Sequence, residues 1–290
     1  MPTTTPGARL RTLIDEGQLT VAPGVFDGLS ASLVVRTGFS AAYLTGAGVA
    51  VAGFGLPDIG LLTQTEMTDR THVAANALGD VPLIADADTG YGAPMNVVRT
   101  VRAYERAGVA AIQLEDQAFP KKCGHLPDKE LISADAFLDK LAAALQARTD
   151  ALIIARTDAR GPLGIDAAIE RAPRYAAAGA DVIFVEAPES VEEVEKIAAS
   201  IDAPLLINMV QGGLTPETAP DRLAALGYRI AIHPGALLAP YVLHGLEALS
   251  RLGGTMPEAT PGPQALFELV GLHEWSAIGD RYRDHTKEVS

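Results

Sequence analysis

Ala-Leu-Ile-Ile-Ala-Arg-Thr-Asp, at residues 151–158, is an apolar run that ends in charged and polar residues. A helical pattern follows at residues 164–178, and a second apolar run, Asp-Val-Ile-Phe-Val-Glu, occupies residues 181–186. Almost wholly apolar strands are expected where helices cover both faces of a parallel sheet. Gly179 stands between the helical pattern and the second run, which is the position of a helix C-cap. These residues therefore predict a strand–helix–strand unit of a parallel α/β fold.

The same unit recurs along the chain. Strand-like runs lie at residues 19–23, 41–44, 82–86, 110–114, 151–156, 181–185, 204–208 and 228–233, and helical stretches lie at residues 28–37, 65–78, 95–107, 133–147, 164–178, 191–200 and 216–226. Eight such units in roughly 250 residues are what a closed (β/α)₈ barrel, the TIM barrel, requires. A doubly wound open sheet is the alternative. We predict one α/β barrel domain over residues 1–290.

Two further helical stretches follow the last predicted strand. The first runs to about residue 252, and the second occupies about residues 264–283 after a break at Gly-Gly-Thr-Met-Pro, residues 253–257. The second stretch is surplus to a barrel. We therefore predict a C-terminal helix, within residues 264–288, that packs on a neighbouring subunit.

Composition and charge narrow the class of protein. The chain has 290 residues, of which 48% are hydrophobic, and a net charge of −13. An acidic chain is a poor match for nucleic acid or an anionic membrane, because both need clustered Lys and Arg. One cysteine cannot form an intramolecular disulfide, and the N-terminus has no basic-then-apolar leader, so we expect a cytoplasmic location. An anionic substrate would need positive charge concentrated locally.

The single cysteine lies in a polar loop at residues 117–130, which reads Gln-Ala-Phe-Pro-Lys-Lys-Cys-Gly-His-Leu-Pro-Asp-Lys-Glu. Buried cysteines usually behave as small hydrophobes, but the lysines and the glycine beside Cys123 favour a thiol that solvent or substrate can reach. Those lysines and His125 predict a thiol pKa below the free value of about 8.5. The pattern indicates acid/base chemistry. His125 is either an ordinary loop histidine or, as we favour, a hydrogen-bond partner of a substrate oxygen.

Polar residues also end the predicted strands, where the active sites of such barrels gather. In chain order they are Tyr43-Leu-Thr-Gly-Ala-Gly48, Asp86-Ala-Asp88, Glu115-Asp116, Arg156-Thr-Asp158, Glu186 and Asn208. Carboxylates from adjacent strands without a nearby histidine suit a hard divalent cation, and Mg²⁺ fits better than zinc. Arg156 offers a bidentate partner for a substrate carboxylate.

Each pattern also has a structural explanation. Asp-x-Asp before glycine is frequently a turn or a helix cap, and Thr-Gly-Ala-Gly alone reads as a loop. Glu115, Asp116 and Arg156 could form an ion-pair network at the barrel rim. The conjunction favours a functional site, because independent loops would not all place ionisable residues at one end of a barrel.

Taken together, these motifs resemble the isocitrate lyase/phosphoenolpyruvate mutase superfamily. The matching residues are Lys-Lys-Cys-Gly-His at 121–125, Asp86-Ala-Asp88, Leu-Glu-Asp-Gln at 114–117, Ala-Arg-Thr-Asp at 155–158 and Glu186-Ala-Pro, and the similarity runs from about residue 19 to residue 252. The Lys-Lys-Cys-Gly-His loop is a signature of the carbon–carbon lyase branch. The resemblance implies a barrel with an exchanged terminal helix, a homotetramer built as a dimer of dimers, and Mg²⁺, with Mn²⁺ as an alternative.

The resemblance also implies roles for individual residues. Asp86 and Asp88 would hold the metal directly, and Glu115 and Asp58 would act through water. The 2-oxo-acid half of the substrate would contact Tyr43, Thr45, Gly46, Ala47 and Arg156, while Lys121, Gly124, His125, Glu186 and Asn208 would line the rest of the site. Cys123 would donate a proton in the cleavage of a 2-hydroxy dicarboxylate.

One departure from the family pattern bears on the substrate. 2-Methylisocitrate lyases carry an Asn-Ile-Thr-Glu-Phe-Gly motif after strand seven, whereas this chain has Asn-Met-Val-Gln-Gly-Gly at residues 208–213. Val210 replaces the threonine, and Pro240-Tyr-Val-Leu stands where an arginine is usual. A methylated malate is therefore favoured over a tricarboxylate. The alternatives are 2-methylisocitrate cleavage, oxaloacetate decarboxylation or hydrolysis, and, less favoured, phosphonate P–C chemistry or a non-catalytic barrel.

Overall fold

The computed structural model describes residues 4–255 and 262–283. Eight parallel strands close into a barrel in chain order, and β1 pairs with β8. The strands are β1 (Thr20–Val25), β2 (Ala42–Leu44), β3 (Leu83–Asp86), β4 (Ala111–Glu115), β5 (Leu152–Thr157), β6 (Val182–Val185), β7 (Leu205–Asn208) and β8 (Tyr228–His233). The predicted (β/α)₈ TIM barrel is confirmed, and the open-sheet alternative is excluded because the two end strands are hydrogen-bonded to each other.

Helices surround the barrel and link its strands. They are α1 (Pro6–Asp15), α2 (Gly28–Arg36), α3 (Gly46–Gly48), a π-helical turn (Val49–Phe54), α4 (Gln64–Leu78), α5 (Pro94–Ala107), α6 (Ala134–Ala147), α7 (Arg160–Leu163), α8 (Ile165–Ala177), α9 (Val191–Ser200), α10 (Pro220–Leu226), α11 (Leu238–Arg251), α12 (Pro263–Glu268) and α13 (Leu272–Arg283). Within the described residues, no helix has both the length and the apolar character to cross a bilayer.

Local chemistry explains where these helices begin and end. The side chains of Asp27, Thr63 and Ser133 accept hydrogen bonds from the first-turn amides of α2, α4 and α6, as N-caps do. Gly108 and Gly227 end α5 and α10 in the left-handed conformation, which glycine adopts without strain. The outer core lies between the strands and these helices.

The sequence patterns missed α1, which closes the N-terminal end of the barrel. Leu10 is fully buried, and together with Ile14 it belongs to the apolar cluster inside the barrel that also contains Ile84 and Phe184. The Asp150 carboxylate accepts a hydrogen bond from the Gly7 amide at 2.7 Å. The helix therefore seals the barrel at the end opposite the strand termini that carry the polar residues.

Two predicted helices differ from the structure near the C-terminus. The helix predicted at residues 216–226 begins only at Pro220, because proline suits the first turn and disfavours a helical residue before it. The stretch predicted at residues 264–283 forms two helices, α12 and α13, and Gly271 has a φ of 82° between them. Exchange of this segment between subunits stays a prediction, and residues 284–288 lie outside the described residues.

Candidate active site

A cavity of about 660 Å³ opens at the C-terminal ends of the strands. Most of the site residues predicted from the sequence line it: Tyr43, Thr45, Ala47, Asp58, Asp86, Lys121, Cys123, Gly124, His125, Arg156, Glu186 and Asn208. Gly46 and Asp88 line a small cleft beside it, which also contains Asp58 and Lys121. Glu115 lies behind Arg156, whose Nε is 3.4 Å from Glu115 Oε2. The structure therefore brings all fifteen predicted residues together.

Asp86 is held rigidly at the end of β3. Its Oδ1 accepts hydrogen bonds from the Asp88 amide at 3.0 Å and from Gln113 Nε2 at 3.3 Å, and its Oδ2 accepts one from the Gly46 amide at 3.3 Å. A Cβ atom on Gly46 would lie 2.8 Å from Asp86 Oδ2, so this close approach requires glycine. Asp88 has a φ of 48°, in the left-handed region.

Lys121 places its ammonium group between the carboxylates of Asp58 and Asp88. Its Nζ contacts Asp58 and lies 2.7 Å from Asp88 Oδ1. Burial opposes the charge on Lys121, but Asp58 and Asp88 hold its pKa well above the usual value. Burial raises the pKa of Asp88 to about 7, against the opposing effect of Lys121. Burial likewise raises the pKa of Glu115 well above its usual value, despite Arg156.

The site contains more buried acids than bases. Its buried carboxylates are Asp58, Asp86, Asp88, Glu115, Asp158 and Glu186, and its buried cations are Lys121, Lys129 and Arg156. Six acids against three bases leave an excess of three negative charges when all are ionised. Oδ1 of Asp88 and Oε1 of Glu115 are buried and accept no hydrogen bond. Asp88 Oδ1 does form an ion pair with Lys121, but the geometry of that contact is not that of a hydrogen bond.

These carboxylates fit a hard divalent cation that keeps part of its water shell. Among residues 4–255 and 262–283, no three Asp, Glu, His or Cys side chains lie close enough to hold an ion by themselves. Mg²⁺ commonly takes only one or two carboxylates and retains several waters. Its charge would offset most of the acidic excess, and Asp88 Oδ1 and Glu115 Oε1, which accept no hydrogen bond, are hard oxygen donors of the type it prefers.

The loop that carries Cys123 is tied down at its base and above the acids. Gln117 clamps Lys122 by two hydrogen bonds of 2.8 and 3.0 Å, and the Ala118 amide donates to Glu130 O at 2.7 Å. The Cys123 amide donates to Asp58 O at 3.0 Å. Cys123 is partly exposed and lines the cavity, which agrees with the predicted access to its thiol.

The predicted low pKa of Cys123 is wrong. Burial, and then the negative charge of Asp58, raise the pKa of the thiol to about 12. The two neighbouring lysines do little to lower it. Lys121 is already paired with Asp58 and Asp88, and Lys122 directs its ammonium group towards Pro127 O, at 3.5 Å on the exposed side. The thiol is therefore protonated at neutral pH.

His125 is fixed as a neutral hydrogen-bond donor facing the cavity. The Leu214 amide donates to His125 Nδ1 at 3.1 Å, so the ring proton of the neutral form is on Nε2. That nitrogen lies 3.4 Å from Glu186 Oε1. Burial lowers the pKa of His125, against the effect of Glu186. Asn208 donates to both Glu186 oxygens at 3.3 and 3.2 Å, and its own Oδ1 is buried without a partner.

Arg156 is held in the plane of a carboxylate beneath the cavity. Asp158 accepts from its Nε at 2.8 Å and from its Nη2 at 2.9 Å. Burial disfavours the charged guanidinium, but Asp158 and Glu115 raise the pKa of Arg156 well above its usual value. The ion-pair network considered from the sequence is present, and it leaves Arg156 within the cavity lining. Arg156 can therefore serve both the network and a bound anion.

Asp116 is a structural residue. It accepts hydrogen bonds from Thr157 Oγ1, the Asp158 amide, Arg171 Nη1 and Tyr175 Oη at 2.7 to 2.9 Å, outside the cavity. Sequence reasoning missed Gln113, whose Oε1 accepts from Tyr43 Oη at 3.2 Å while its amide holds Asp86. A single polar residue in the apolar run Ala-Ile-Gln-Leu could have indicated that role.

The outer wall of the cavity is mostly apolar, with Gln211, His244 and Glu268 as its polar residues. It is formed by Val210 and by residues of α11 and α12, including Leu238, Pro240, Leu246 and Leu266. Phe267 packs with Leu126 of the cysteine loop in a small apolar cluster. Among the described lining residues, Lys121 and Arg156 are the permanent cations. Carboxylates also line the cavity, namely Asp58, Asp86, Glu186 and Glu268, so the two cations could receive anionic groups of a ligand once part of that negative charge is neutralised, while the apolar wall contacts the rest.

Comparison with known proteins agrees with this geometry. The family model for phosphoenolpyruvate phosphomutase matches residues 10–250. A 2,3-dimethylmalate lyase from Eubacterium barkeri is 50% identical over 79% of this chain and 80% of its own length. A 2-methylisocitrate lyase from Aeropyrum pernix is 49% identical over 80% of this chain and 75% of its own. An oxaloacetate acetylhydrolase structure has a TM-score of 0.84 and 38% identity, and the match covers 96% of this chain and 97% of that one.

Proposed function

The chain belongs to the PEP mutase/isocitrate lyase superfamily, in its carbon–carbon lyase branch, and from this we propose that it cleaves a 2-hydroxy dicarboxylate of the methylated malate type. The products would be a 2-oxo acid, pyruvate or glyoxylate, and a short carboxylic acid. The observation that carries the proposal is the cavity lining, which combines two permanent cations with an apolar outer wall. That lining matches a substrate with two carboxylates and methyl substituents.

Substrate binding would begin at the 2-hydroxy acid end. Arg156, held by Asp158, presents a charged guanidinium for the carboxylate at C1. Tyr43, Thr45 and Ala47, around the start of α3, line the same cavity, and the Gly46 amide beside them holds Asp86. The second carboxylate would lie towards Lys121, His125 and Asn208.

Asp86 and Asp88 would hold Mg²⁺, or Mn²⁺ in its place, with Glu115 and Asp58 acting through water. When bound, the ion would supply Lewis-acid polarisation of the C2 hydroxyl and lower its pKa. The chain's own contribution here is rigidity, because Asp86 accepts three hydrogen bonds that fix both of its oxygens.

Once the C2 hydroxyl has lost its proton, C2 would become a carbonyl as the C2–C3 bond breaks, and the bonding electron pair would stay on the C3 fragment, spread into its carboxylate. His125 offers an Nε2 proton, since its Nδ1 is occupied by the Leu214 amide, and Lys121 offers a buried positive charge. Donors fixed where charge develops stabilise such an intermediate strongly. Cys123 would then protonate C3 as the general acid, and its raised pKa keeps the proton available.

The outer wall supports a dicarboxylate over a tricarboxylate. A third carboxylate directed at Val210 or Pro240 would lose its water without gaining a charged partner. Leaving a desolvated charge without hydrogen bonds costs several kcal/mol. Methyl groups at the same place would be stabilised by about 0.8 kcal/mol each on burial.

Oxaloacetate hydrolysis or decarboxylation is a second candidate, favoured by the structural likeness to oxaloacetate acetylhydrolase. Oxaloacetate also has two carboxylates, so it fits the same two cations. Each of these reactions leaves an enolate-type fragment that must gain a proton at carbon, so the need for a proton donor alone does not separate them; only the enolpyruvate of decarboxylation is stable enough to take its proton from water after release. The products separate them: hydrolysis of oxaloacetate gives oxalate and acetate, and decarboxylation gives pyruvate and carbon dioxide.

The test is a panel of 2-hydroxy di- and tricarboxylates and oxaloacetate, assayed for 2-oxo-acid or oxalate release with Mg²⁺ and with EDTA. We expect the highest kcat/KM with a 2,3-dimethylated or similarly methylated malate, and loss of turnover with EDTA. Failure of every compound to give metal-dependent release would contradict the lyase proposal, and oxalate from oxaloacetate alone would establish the second candidate.

Two arginine variants test the proposed role of Arg156 in binding a substrate carboxylate, with Arg156→Lys as the test and Arg160→Lys as its matched control. Arg156→Lys removes the planar guanidinium that Asp158 orients, and we expect kcat/KM to fall by about 10²-fold, since lysine cannot replace a bidentate arginine. Arg160→Lys removes a comparable paired arginine, bound by Glu193 with two 2.9 Å hydrogen bonds outside the cavity. We expect Arg160→Lys to leave kcat/KM within about threefold of the wild type.

A further inference from the structure

Lys129 belongs to the cysteine loop, residues 117–130, but its side chain is buried and does not line the cavity. Its side chain is 3% exposed, and its stem passes under Gly161 of α7, where an added Cβ would lie 3.2 Å from Lys129 Cε. Buried lysines are rare unless they are paired. The position of its ammonium group therefore needs an explanation.

The ammonium group of Lys129 joins the loop to the residue that orients Arg156. Its Nζ donates to Gly124 O at 2.5 Å, on the residue between Cys123 and His125, and to Asp158 Oδ1 at 3.0 Å. The same Asp158 Oδ1 accepts from Arg156 Nη2 at 2.9 Å. One carboxylate oxygen is thus shared by the arginine that faces the cavity and by the lysine that holds the loop.

At Gly124 the loop lies directly against Arg156 and its ion-pair partner Glu186. A Cβ atom on Gly124 would lie 2.6 Å from Arg156 Nη2 and 2.5 Å from Glu186 Cγ. Movement of residues 123–125 away from this surface would break the bond from Lys129 to Gly124 O and leave the ammonium group with Asp158 alone. The position of the loop and the charge balance around Arg156 are therefore linked through one side chain.

We propose that Lys129 is a positioning residue that locks the loop carrying Cys123 and His125 onto Arg156, so that the proton donor and the substrate-binding guanidinium take up their working positions together. The roles of Cys123 and Arg156 rest on the proposed function. The hydrogen bonds from Lys129 to Gly124 and Asp158 do not depend on that function, because they are contacts within the chain.

The sole cysteine makes the loop directly observable. In Lys129→Met we expect the rate of Cys123 modification by a disulfide reagent such as Ellman's reagent, without substrate, to rise about tenfold or more, because local opening exposes the thiol. We expect kcat to fall by about 10- to 100-fold, since small misplacements of reacting groups have effects of that size. KM should change less than kcat.

Lys140→Met is the matched control. Lys140 Nζ donates to Thr89 O at 3.0 Å, so this variant also loses a lysine-to-carbonyl bond, but one that does not touch the loop. We expect a lower melting temperature with a thiol rate within about twofold of the wild type. If Lys129→Met does not fold, Lys129→Gln keeps a neutral donor and should show the same change in thiol rate to a smaller extent.

Two results would overturn the proposal. One is a thiol rate and a kcat in Lys129→Met that match the wild type. The other is an equal rise of the thiol rate in Lys140→Met at an equal loss of melting temperature, which would mean general loosening of the fold. If no compound of the substrate panel is cleaved, the proposed function fails, while the thiol rates still decide whether Lys129 holds the loop.

Discussion

At the scale of single residues, the cavity keeps both Cys123 and His125 in one protonation state at neutral pH. Burial raises the pKa of Cys123 to about 12, so its thiol retains the proton that a general acid must deliver. Burial lowers the pKa of His125, so its ring stays neutral while the Leu214 amide directs its proton towards Glu186. These states arise from contacts distant in sequence, and in the proposed mechanism they would give the cavity one thiol that can donate a proton and one neutral hydrogen-bond donor.

Cys123→Ser tests the proton donor. The serine hydroxyl has a much higher pKa than a thiol, so it protonates a carbon far more slowly, and we expect kcat for the preferred malate to fall by about 10²- to 10⁴-fold. The measurement is 2-oxo-acid release at saturating substrate and Mg²⁺. Turnover of the malate that stays within about threefold of the wild type would remove Cys123 from the mechanism.

Gly124→Ala tests whether the loop must touch Arg156 and Glu186. The new Cβ would lie 2.6 Å from Arg156 Nη2 and 2.5 Å from Glu186 Cγ, closer than real contacts, so the loop must lift. We expect kcat to fall by about 10²-fold with little change in melting temperature. Gly28→Ala is the control, because its nearest neighbour would be Val73 Cγ1 at 3.5 Å. A fully active Gly124→Ala would mean that the loop works in a raised position.

At the scale of elements, α1 seals the barrel that the strands build. Leu10 is fully buried in the interior cluster, at the end of the barrel away from the cavity. The helix therefore contributes to the stability of the barrel, and none of its residues lines the cavity.

Leu10→Ala should measure the contribution of that seal. Truncation of a buried leucine removes apolar contacts and leaves a cavity, and we expect the free energy of unfolding in urea to fall by about 2–5 kcal/mol, with KM unchanged. Leu29→Ala, at a position 68% exposed on α2, should change it by less than about 0.5 kcal/mol. Equal effects of the two substitutions would show that α1 does not close the barrel core.

The elements also show how far the sequence could predict this molecule. All eight strands were predictable, because parallel strands buried on both faces read as short apolar runs between glycines and acids. Helix α1 was not, since its ten residues begin with Pro6 and Gly7 and contain only two large buried side chains, Leu10 and Ile14. The residues of the site could be named from strand ends and motifs. The pKa of Cys123 could not be predicted, because it depends on burial.

At the scale of the whole molecule, the net negative charge of the chain and the excess of buried carboxylates in the site both require that negative charge be neutralised before an anionic substrate can bind. The chain has a net charge of −13, and its cavity encloses an excess of carboxylates over bases. An anionic substrate would meet repulsion at such a site unless the excess is neutralised. Protons or a divalent cation can provide that neutralisation, and the two should compete.

The competition predicts how the stability of the metal-free protein depends on pH. Asp88 has a pKa of about 7 in the fold, against 3.8 for an ordinary aspartate. Between those values the folded state holds a proton that the unfolded chain has lost, so this contribution to stability is present at low pH and is lost as the pH rises through about 7. In EDTA, we expect the melting temperature of Asp88→Asn to vary less over pH 5.5 to 8 than that of the wild type. Mg²⁺ should raise the wild-type melting temperature more at pH 8, where Asp88 is ionised, than at pH 5.5.

His125, whose lowered pKa gives the opposite pH dependence, is present in both proteins and cancels in the comparison. Identical pH profiles, or an Mg²⁺ effect that does not depend on pH, would contradict the inference that a cation and a proton neutralise the same acid.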